Sequence, residues 1–232
     1  MRRLGPSLLL CAQLGCAASA SSRDIRTSAL VALVDVTSEQ ARQAVVSANV
    51  VVGGAHSNAY VELEDGDRLV ASCEGEPRDM TSTGNGSYQA RFARDDGEFV
   101  VGLMRAGHRS APHSVGRLPT AFAITSDLGA KPFSRANDAM TLSWSPGGSD
   151  ADVTIEIEGD CIRSAELHAG RDAGRFVIEP GKLTTWKNQE KQACNVVLRV
   201  VQTRKGQPDP ALDPNSSVVL RQIRTIRFVS RP

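Results

Sequence analysis

Apolar and polar residues alternate along most of the chain, and the clearest alternation lies in residues 139–161. On each side of a Pro-Gly-Gly-Ser-Asp turn, every second residue is apolar: Met140, Leu142 and Trp144, then Val153, Ile155 and Ile157. Successive side chains of a β-strand point to opposite faces of the sheet. The pattern therefore predicts a hairpin with one buried face.

The same two-residue period recurs before and after this segment. Two further hairpins with Asp-Gly turns are predicted over 59–73 and 87–104, and later strands over 194–201 and 218–229. Residues 28–52 are ambiguous, because a helical turn could begin at Ser38 between two strand-like runs. The spacing of these short strands is typical of β-sandwiches. It predicts an all-β protein of two β-sandwich-like domains in tandem after a signal peptide.

Composition shifts along the chain predict the domain organisation. We expect a signal peptide at 1–20, a polar tether at 21–27, an N-terminal β-rich domain at 28–115 and a C-terminal sandwich domain at 119–232. The histidine-, proline- and glycine-containing stretch around 106–119 is the predicted linker. In the last strand the apolar parity changes near 222–224, which predicts a β-bulge there.

The first twenty residues have the layout of an export signal, with a basic start, an apolar middle and small residues at the end. Two processing outcomes stay open. Leu14, Gly15 and Cys16 resemble the end of a lipobox, although Gln13 stands where that pattern usually has Leu. In such a lipoprotein Cys16 carries the lipid anchor, so the protein is expected at the outer membrane or cell envelope. Cleavage after Ala20 would instead give a secreted protein.

The five cysteines divide between the export segment and the remainder of the chain. Cys161 and Cys194 lie at the ends of predicted strands within one domain, and an exported protein can form disulfides. We predict that these two pair and stabilise the fold by about 3–4 kcal/mol on the chain-entropy estimate. Three free thiols are the alternative. Cys73 is interpreted as a small buried residue, with an intermolecular bridge or a reactive thiol as the other possibilities.

Arginines concentrate on the last predicted strand. Arg221, Arg227 and Arg231 share one parity and would line one face, where they could contact an acidic polymer or phosphate head groups. The alternative interpretation is an exposed strand face that cations protect from aggregation.

The composition argues against several classes of function. The chain has 27 basic and 26 acidic residues and a net charge of +1, so no global field attracts nucleic acid. No G-x-S-x-G nucleophile motif and no phosphate-binding P-loop motif occur in the sequence. His108 and His113 lack the usual zinc spacing. We therefore expect a non-enzymatic protein without a metal or cofactor.

Residues 119–232 resemble a fibronectin type III or immunoglobulin-like module. The resemblance lies in a leading proline, LSWSP around Trp144, FVIEPGKL around Phe176 and a closing hairpin. The layout is also similar to that of uncharacterised envelope lipoproteins of bacteria that carry such a module after a signal peptide. The resemblance implies a β-sandwich and an extracytoplasmic location, and it supplies no catalytic residue.

Together these features favour a binding or structural module of the bacterial envelope, with an envelope protein or polysaccharide as its partner. Loops 126–137 and 205–217 are the expected binding segments, because long loops on a rigid scaffold are where recognition usually occurs. Two alternatives remain. One is a small secreted hydrolase or metal-dependent enzyme built around His56, Glu62 and Asp67. The other is a subunit of a surface assembly with no ligand of its own.

Overall fold

The computed structural model describes residues 19–128 and 132–232. The predicted export segment up to residue 18, with Cys11 and Cys16, lies outside the described residues. Two single 3-10 turns, Ser22–Asp24 and Thr27–Ala29, are the helical elements of the described chain. Its strands are β1 (Ser19–Ser21), β2 (Leu30–Gln40), β3 (Gln43–Val52), β4 (Tyr60–Glu62), β5 (Arg68–Cys73), β6 (Glu76–Asp79), β7 (Thr81–Gly84), β8 (Ser87–Phe92), β9 (Glu98–Met104), β10 (Ala111–Arg117), β11 (Ala123–Ile124), β12 (Phe133–Ser134), β13 (Met140–Ser145), β14 (Asp152–Gly159), β15 (Ala165–Arg171), β16 (Arg175–Ile178), β17 (Cys194–Lys205) and β18 (Ser217–Arg231).

The prediction of an all-β fold is confirmed. Residues 28–52, which the sequence left ambiguous, form the antiparallel pair β2 and β3. No helix within the described ranges has the length and apolar character needed to span a bilayer.

The described strands form three sheets. The largest has the strand order β1-β4-β3-β2-β18-β17-β14-β15, with β8 also on β3 and β7 on β8. Two smaller sheets have the orders β10-β9-β5-β6 and β11-β13-β16. The buried apolar residues form two clusters: one lies between β2, β3 and β8 and the smaller sheet of β5, β9 and β10, and the other between β14, β17 and β18 and the sheet of β13 and β16. We call these the first core and the second core.

The three predicted hairpins are wrong in their pairing, although their strands and buried faces are correct. In each case the two strands belong to different sheets: β4 and β5, β8 and β9, and β13 and β14. In the last example Leu142 and Ile155 are both fully buried and belong to the second core. A two-residue period shows which face of a strand is buried, but it does not distinguish two strands that pair from two that face each other across a core.

Strand β18 connects the two cores. Its start pairs in parallel with β2 over Ser217–Gln222, and Val219–Ser230 pair antiparallel with β17. Val218 and Leu220 belong to the first core, whereas Phe228 belongs to the second. The β17–β18 register runs unbroken through 222–224, so the predicted bulge is wrong. Leu220, Ile226 and Phe228 have the same parity, and Ile223 lies half-buried on the opposite face.

The segment predicted as a polar tether is folded against the first core. Strand β1 pairs in parallel with β4, and the side chains of Ser22 and Thr27 are buried. The cause is Arg105, whose guanidinium donates to the carbonyl oxygens of Ser22 at 2.7 Å and of Ile25 at 3.1 Å. Polarity suggested a solvated segment, but here the polar groups bind a buried cation.

The charge on Arg105 is balanced by Asp67. Arg105 Nε lies 2.6 Å from Asp67 Oδ2, and the two side chains are 0% and 5% exposed. Asp67 also accepts hydrogen bonds from the Ser22 hydroxyl at 2.8 Å and from the Ala106 amide at 2.9 Å. A buried ion pair is stable only when its remaining donors and acceptors are satisfied, as they largely are in this cluster.

The two cysteines of the second core are joined. A disulfide connects Cys161 and Cys194, which confirms the predicted pair. Cys73 is a free thiol, fully buried in the first core. Burial raises the pKa of its thiol, and Glu74, Asp96 and Glu76 act in the same direction against the opposing charge of Arg94. The structure thus agrees with the interpretation of Cys73 as a small buried residue.

Asp172 fixes the turn beneath Trp144. Its carboxylate accepts the Trp144 indole N–H at 2.7 Å, the Ser149 hydroxyl at 2.7 Å and amide at 3.1 Å, and the Gly174 amide at 3.1 Å. Burial acts to raise the pKa of Asp172, but these four hydrogen bonds together lower it below its ordinary value.

We expect Asp172 to make the fold acid-sensitive. Because its folded-state pKa lies below the unfolded value of about 3.9, its stabilising contribution is complete above that pH and is lost as pH falls through the folded-state pKa. Asp172→Asn should therefore lose less stability than the wild type between neutral pH and about pH 3. Urea unfolding at both pH values measures this. Asp152→Asn, at an exposed site, is the control and should lose as much stability as the wild type. If Asp172→Asn also lost as much stability as the wild type, Asp172 would not be the source of the acid sensitivity.

Candidate functional site

A cleft of about 610 Å³ lies where the two cores meet. One side comes from the first half of the chain, with Glu39 at the end of β2 and Asp95 between β8 and β9. The other side comes from the connection that includes Phe122 and from β18, with Arg224 and Ile226. The cleft therefore combines apolar walls with a small number of charged groups, as ligand sites commonly do.

Arg224 is held at the inner wall of this cleft. Its guanidinium donates to the carbonyl oxygens of Phe122 at 2.9 Å and Ser38 at 3.1 Å, and lies 5.4 Å from the centre of the Phe122 ring. Asp95 is 3.7 Å away. Burial lowers the pKa of Arg224, while Asp95 opposes the shift. Through these contacts, Arg224 connects β2 and the β8–β9 connection with the segment that contains Phe122.

Backbone hydrogen bonds alternate in direction along β18. Gly206 and Val218 are opposite residues in the antiparallel β17–β18 register, and the Gly206 amide donates to Val218 O at 2.8 Å. Even-numbered residues of β18 therefore direct both backbone groups toward β17. Odd-numbered residues direct theirs to the other edge, where Arg231 O accepts the Arg135 amide at 2.9 Å.

Part of that other edge has no partner strand among the described residues. Strand β2 covers it as far as Gln222, and β12 begins opposite Ser230. Between these positions, Thr225 and Arg227 direct their N–H and C=O groups toward an edge that no strand in residues 19–128 and 132–232 pairs with. Thr225 also lines the cleft. An extended polypeptide could bind to this edge by adding a short strand.

The arginines predicted to form an anion-binding face have different surroundings. Arg221 forms an ion pair with Asp35, which is half-buried on β2. On the neighbouring strand, Arg199 pairs with Glu158 at 3.1 Å. Arg227 and Arg231 are exposed, and no acidic partner for them occurs in the described part of the chain. Within the described residues, the face therefore carries two unpaired cations instead of a continuous basic stripe.

The residues of the alternative enzyme hypothesis each have separate roles. Asp67 is the buried partner of Arg105. Glu62 accepts the Gly86 amide at 2.9 Å, and His56 lies exposed at a different surface depression. Among the described residues, no group of three or more His, Cys, Asp or Glu side chains is placed to hold a metal ion.

The two predicted binding loops differ in structure. The segment 205–217 is largely packed, with Leu212 in the first core and the Asp213 amide donating to Leu30 O at 3.0 Å. The segment 126–137 contains β12, and residues 129–131 within it lie outside the described part of the chain. The cleft has no signal in the sequence, because its residues come from five distant segments. Arg224 was visible only as one more strand arginine.

The sequence matches no protein-family model, and a search of curated proteins finds no match. Function is therefore inferred from the geometry of the molecule.

Proposed function

We propose that the protein is an exported, non-enzymatic binding module of the bacterial cell envelope. It would be anchored by a lipid on Cys16 or secreted after cleavage behind Ala20. The observation that carries the proposal is the backbone edge at Thr225 and Arg227, which no described strand covers, beside the cleft. We infer that the ligand is an extended segment of a partner polypeptide.

The cleft offers complementary contacts to such a segment. Backbone groups of the added strand would hydrogen bond to Thr225 and Arg227, while its side chains would alternate between solvent and the apolar wall. Phe122, Ile124 and Ile226 supply that wall. Glu39 is exposed, and no cation pairs with it within the described residues, which favours a basic side chain in the partner.

The scaffold also supports a binding role. Four strands, β15-β14-β17-β18, face the three-stranded β11-β13-β16 sheet across the second core, an arrangement that supports the proposed relationship to fibronectin type III or immunoglobulin-like modules. Because β18 pairs with β2 of the first core and with β17 of the second, it links the two sides of the cleft. A preorganised site loses less conformational entropy on binding.

The test uses Thr225→Pro, which removes one outward N–H and leaves the bonds to β17 in place. Proline is tolerated at strand edges for this reason. Random linear peptides displayed on phage would be selected on the wild-type protein, and their affinities measured. We expect binding to Thr225→Pro to be at least about tenfold weaker, since one hydrogen bond is lost and the ring blocks close approach.

Thr225→Val is the matched control, because it changes the side chain and keeps the backbone donor. It should bind the selected peptides as the wild type does, and both variants should unfold at similar denaturant concentrations. Peptides that bind Thr225→Pro and wild type equally, or a selection that enriches no peptide, would overturn the proposal.

A further inference from the structure

A second concave site lies beside the first core, separate from the cleft. It has a volume of about 430 Å³ and is lined by Arg26, Thr27, Ser28, His108 and Arg109, together with Pro210 and Ala211. These residues come from the second 3-10 turn, the β9–β10 connection and the β17–β18 connection. None of the lining residues is acidic, and none is shared with the junction cleft. We call this site the basic pocket.

Hydrogen bonds hold the walls of the basic pocket together. The Thr27 hydroxyl donates to Arg109 O at 2.5 Å and accepts from Arg105 Nη1 at 3.3 Å. His108 Nε2 lies 2.9 Å from Arg23 O. Because a carbonyl oxygen can only accept, this nitrogen carries a hydrogen. The buried Arg105 therefore holds the Thr27 side chain, which in turn binds the backbone of Arg109.

The two arginines of the pocket have no acidic ion-pair partner among the described residues. Arg26 and Arg109 are exposed, and neither forms an ion pair with an acid in the described ranges. Asp209, next to the lining residue Pro210, is buried and already accepts the amides of His113 and Ala211, each at 2.8 Å. Arg26 and Arg109 thus line a concave surface, and no acid within the described ranges forms an ion pair with either of them.

We propose that the basic pocket binds a phosphate group. Guanidinium groups match the oxygens of phosphate with paired hydrogen bonds, which makes arginine the preferred residue for such ligands. The Ser28 hydroxyl and the imidazole of His108 supply additional polar contacts at the same site. This inference is independent of polypeptide binding in the cleft.

Two sources could supply the phosphate. One is a soluble phosphate ester, and the other is a phospholipid headgroup. Arg26 follows Cys16 by ten residues, so a lipid on Cys16 would keep the pocket within about 35 Å of chain length from the membrane surface. The shared chemistry is a phosphate oxyanion, and the experiment separates the two sources.

The test compares two double variants with the same change in charge. Arg26→Ala/Arg109→Ala removes both guanidinium groups of the pocket. Arg171→Ala/Arg175→Ala removes two exposed arginines that lie elsewhere and form no ion pair in the described chain. Binding of glycerol 3-phosphate is measured by calorimetry, and binding to phosphatidylglycerol and phosphatidylcholine vesicles by co-flotation, all at physiological ionic strength.

We expect the pocket variant to bind about a hundredfold more weakly, or roughly tenfold for each guanidinium lost, and the control to bind as wild type. Binding of glycerol 3-phosphate identifies a soluble ester as sufficient, and binding only to phosphatidylglycerol vesicles identifies a headgroup. Ser28→Asp, which places a carboxylate in the pocket without removing an arginine, should also abolish binding. Equal losses in both double variants, or no binding to any probe, would overturn the proposal. Thr225→Pro should leave phosphate binding unchanged.

Discussion

Arg105→Met should lower the free energy of unfolding by about 3–5 kcal/mol, the range found when one partner of a buried ion pair is removed. Methionine has a similar length but no charge. The Asp67 carboxylate would stay in a site where its side chain is 5% exposed, without the cation 2.6 Å away. The carbonyl oxygens of Ser22 and Ile25 would also lose their donor. Urea unfolding at neutral pH measures the change.

Arg68→Ala is the control for this prediction. Arg68 and Asp79 form an ion pair at 3.5 Å, but their side chains are 58% and 77% exposed. Solvent screens such a pair, so its loss should cost at most about 1 kcal/mol. The double variant Arg105→Met/Asp67→Leu should recover part of the lost stability, because no buried charge is left unpaired. A cost for Arg105→Met as small as that for Arg68→Ala would contradict the structural role of Arg105.

Cys161→Ala/Cys194→Ala should destabilise the protein by about 3–4 kcal/mol on the chain-entropy estimate. The disulfide also lies in a polar cluster: Arg135 Nη1 is 3.9 Å from Cys161 Sγ, and its Nη2 donates to Glu190 O at 2.6 Å and Gln192 O at 2.8 Å. Loss of the bridge would therefore also loosen the loop that precedes β17. Urea unfolding with and without a reducing agent measures the effect.

Cys73→Ala is the matched control for the disulfide. Cys73 is free and buried, so reducing agent should destabilise this variant as much as it destabilises the wild type. In contrast, Cys161→Ala/Cys194→Ala should be insensitive to the reducing agent. Titration of the denatured wild type should find the Cys161 and Cys194 sulfurs unreactive until reduction. Free thiols at both positions before reduction would show that the bridge does not form.

The two-residue alternation of apolar and polar residues predicted the strands and their buried faces, but not how the strands pair. Val153 and Ile155 are buried as their parity predicts. Their strand β14 nevertheless pairs with β17 instead of β13. Strand pairing depends on long-range packing, which a local pattern does not contain. The disulfide was predictable because two strand-end cysteines within one predicted domain left few alternatives.

Both proposed sites were beyond sequence reasoning for a related reason. The cleft depends on the parallel pairing of β2 with β18, which places Glu39 and Thr225 at the same cavity. The basic pocket combines Arg26, from a segment expected to be a tether, with Arg109, from a segment expected to be a linker. In both segments the polar composition suggested solvated chain. The buried Arg105 that organises them has no distinguishing signal in the sequence.

Amide hydrogen exchange of β18, measured by NMR, tests the central claim most directly. The amides of Arg224 and Ile226 are directed toward β17 and should exchange slowly, whereas those of Thr225 and Arg227 face the open edge and should exchange fast. Addition of a peptide selected on the wild type should slow exchange at Thr225 and Arg227 and leave their neighbours unchanged. Equal protection of all four amides in the free protein would show that the edge is already covered, and would contradict the account.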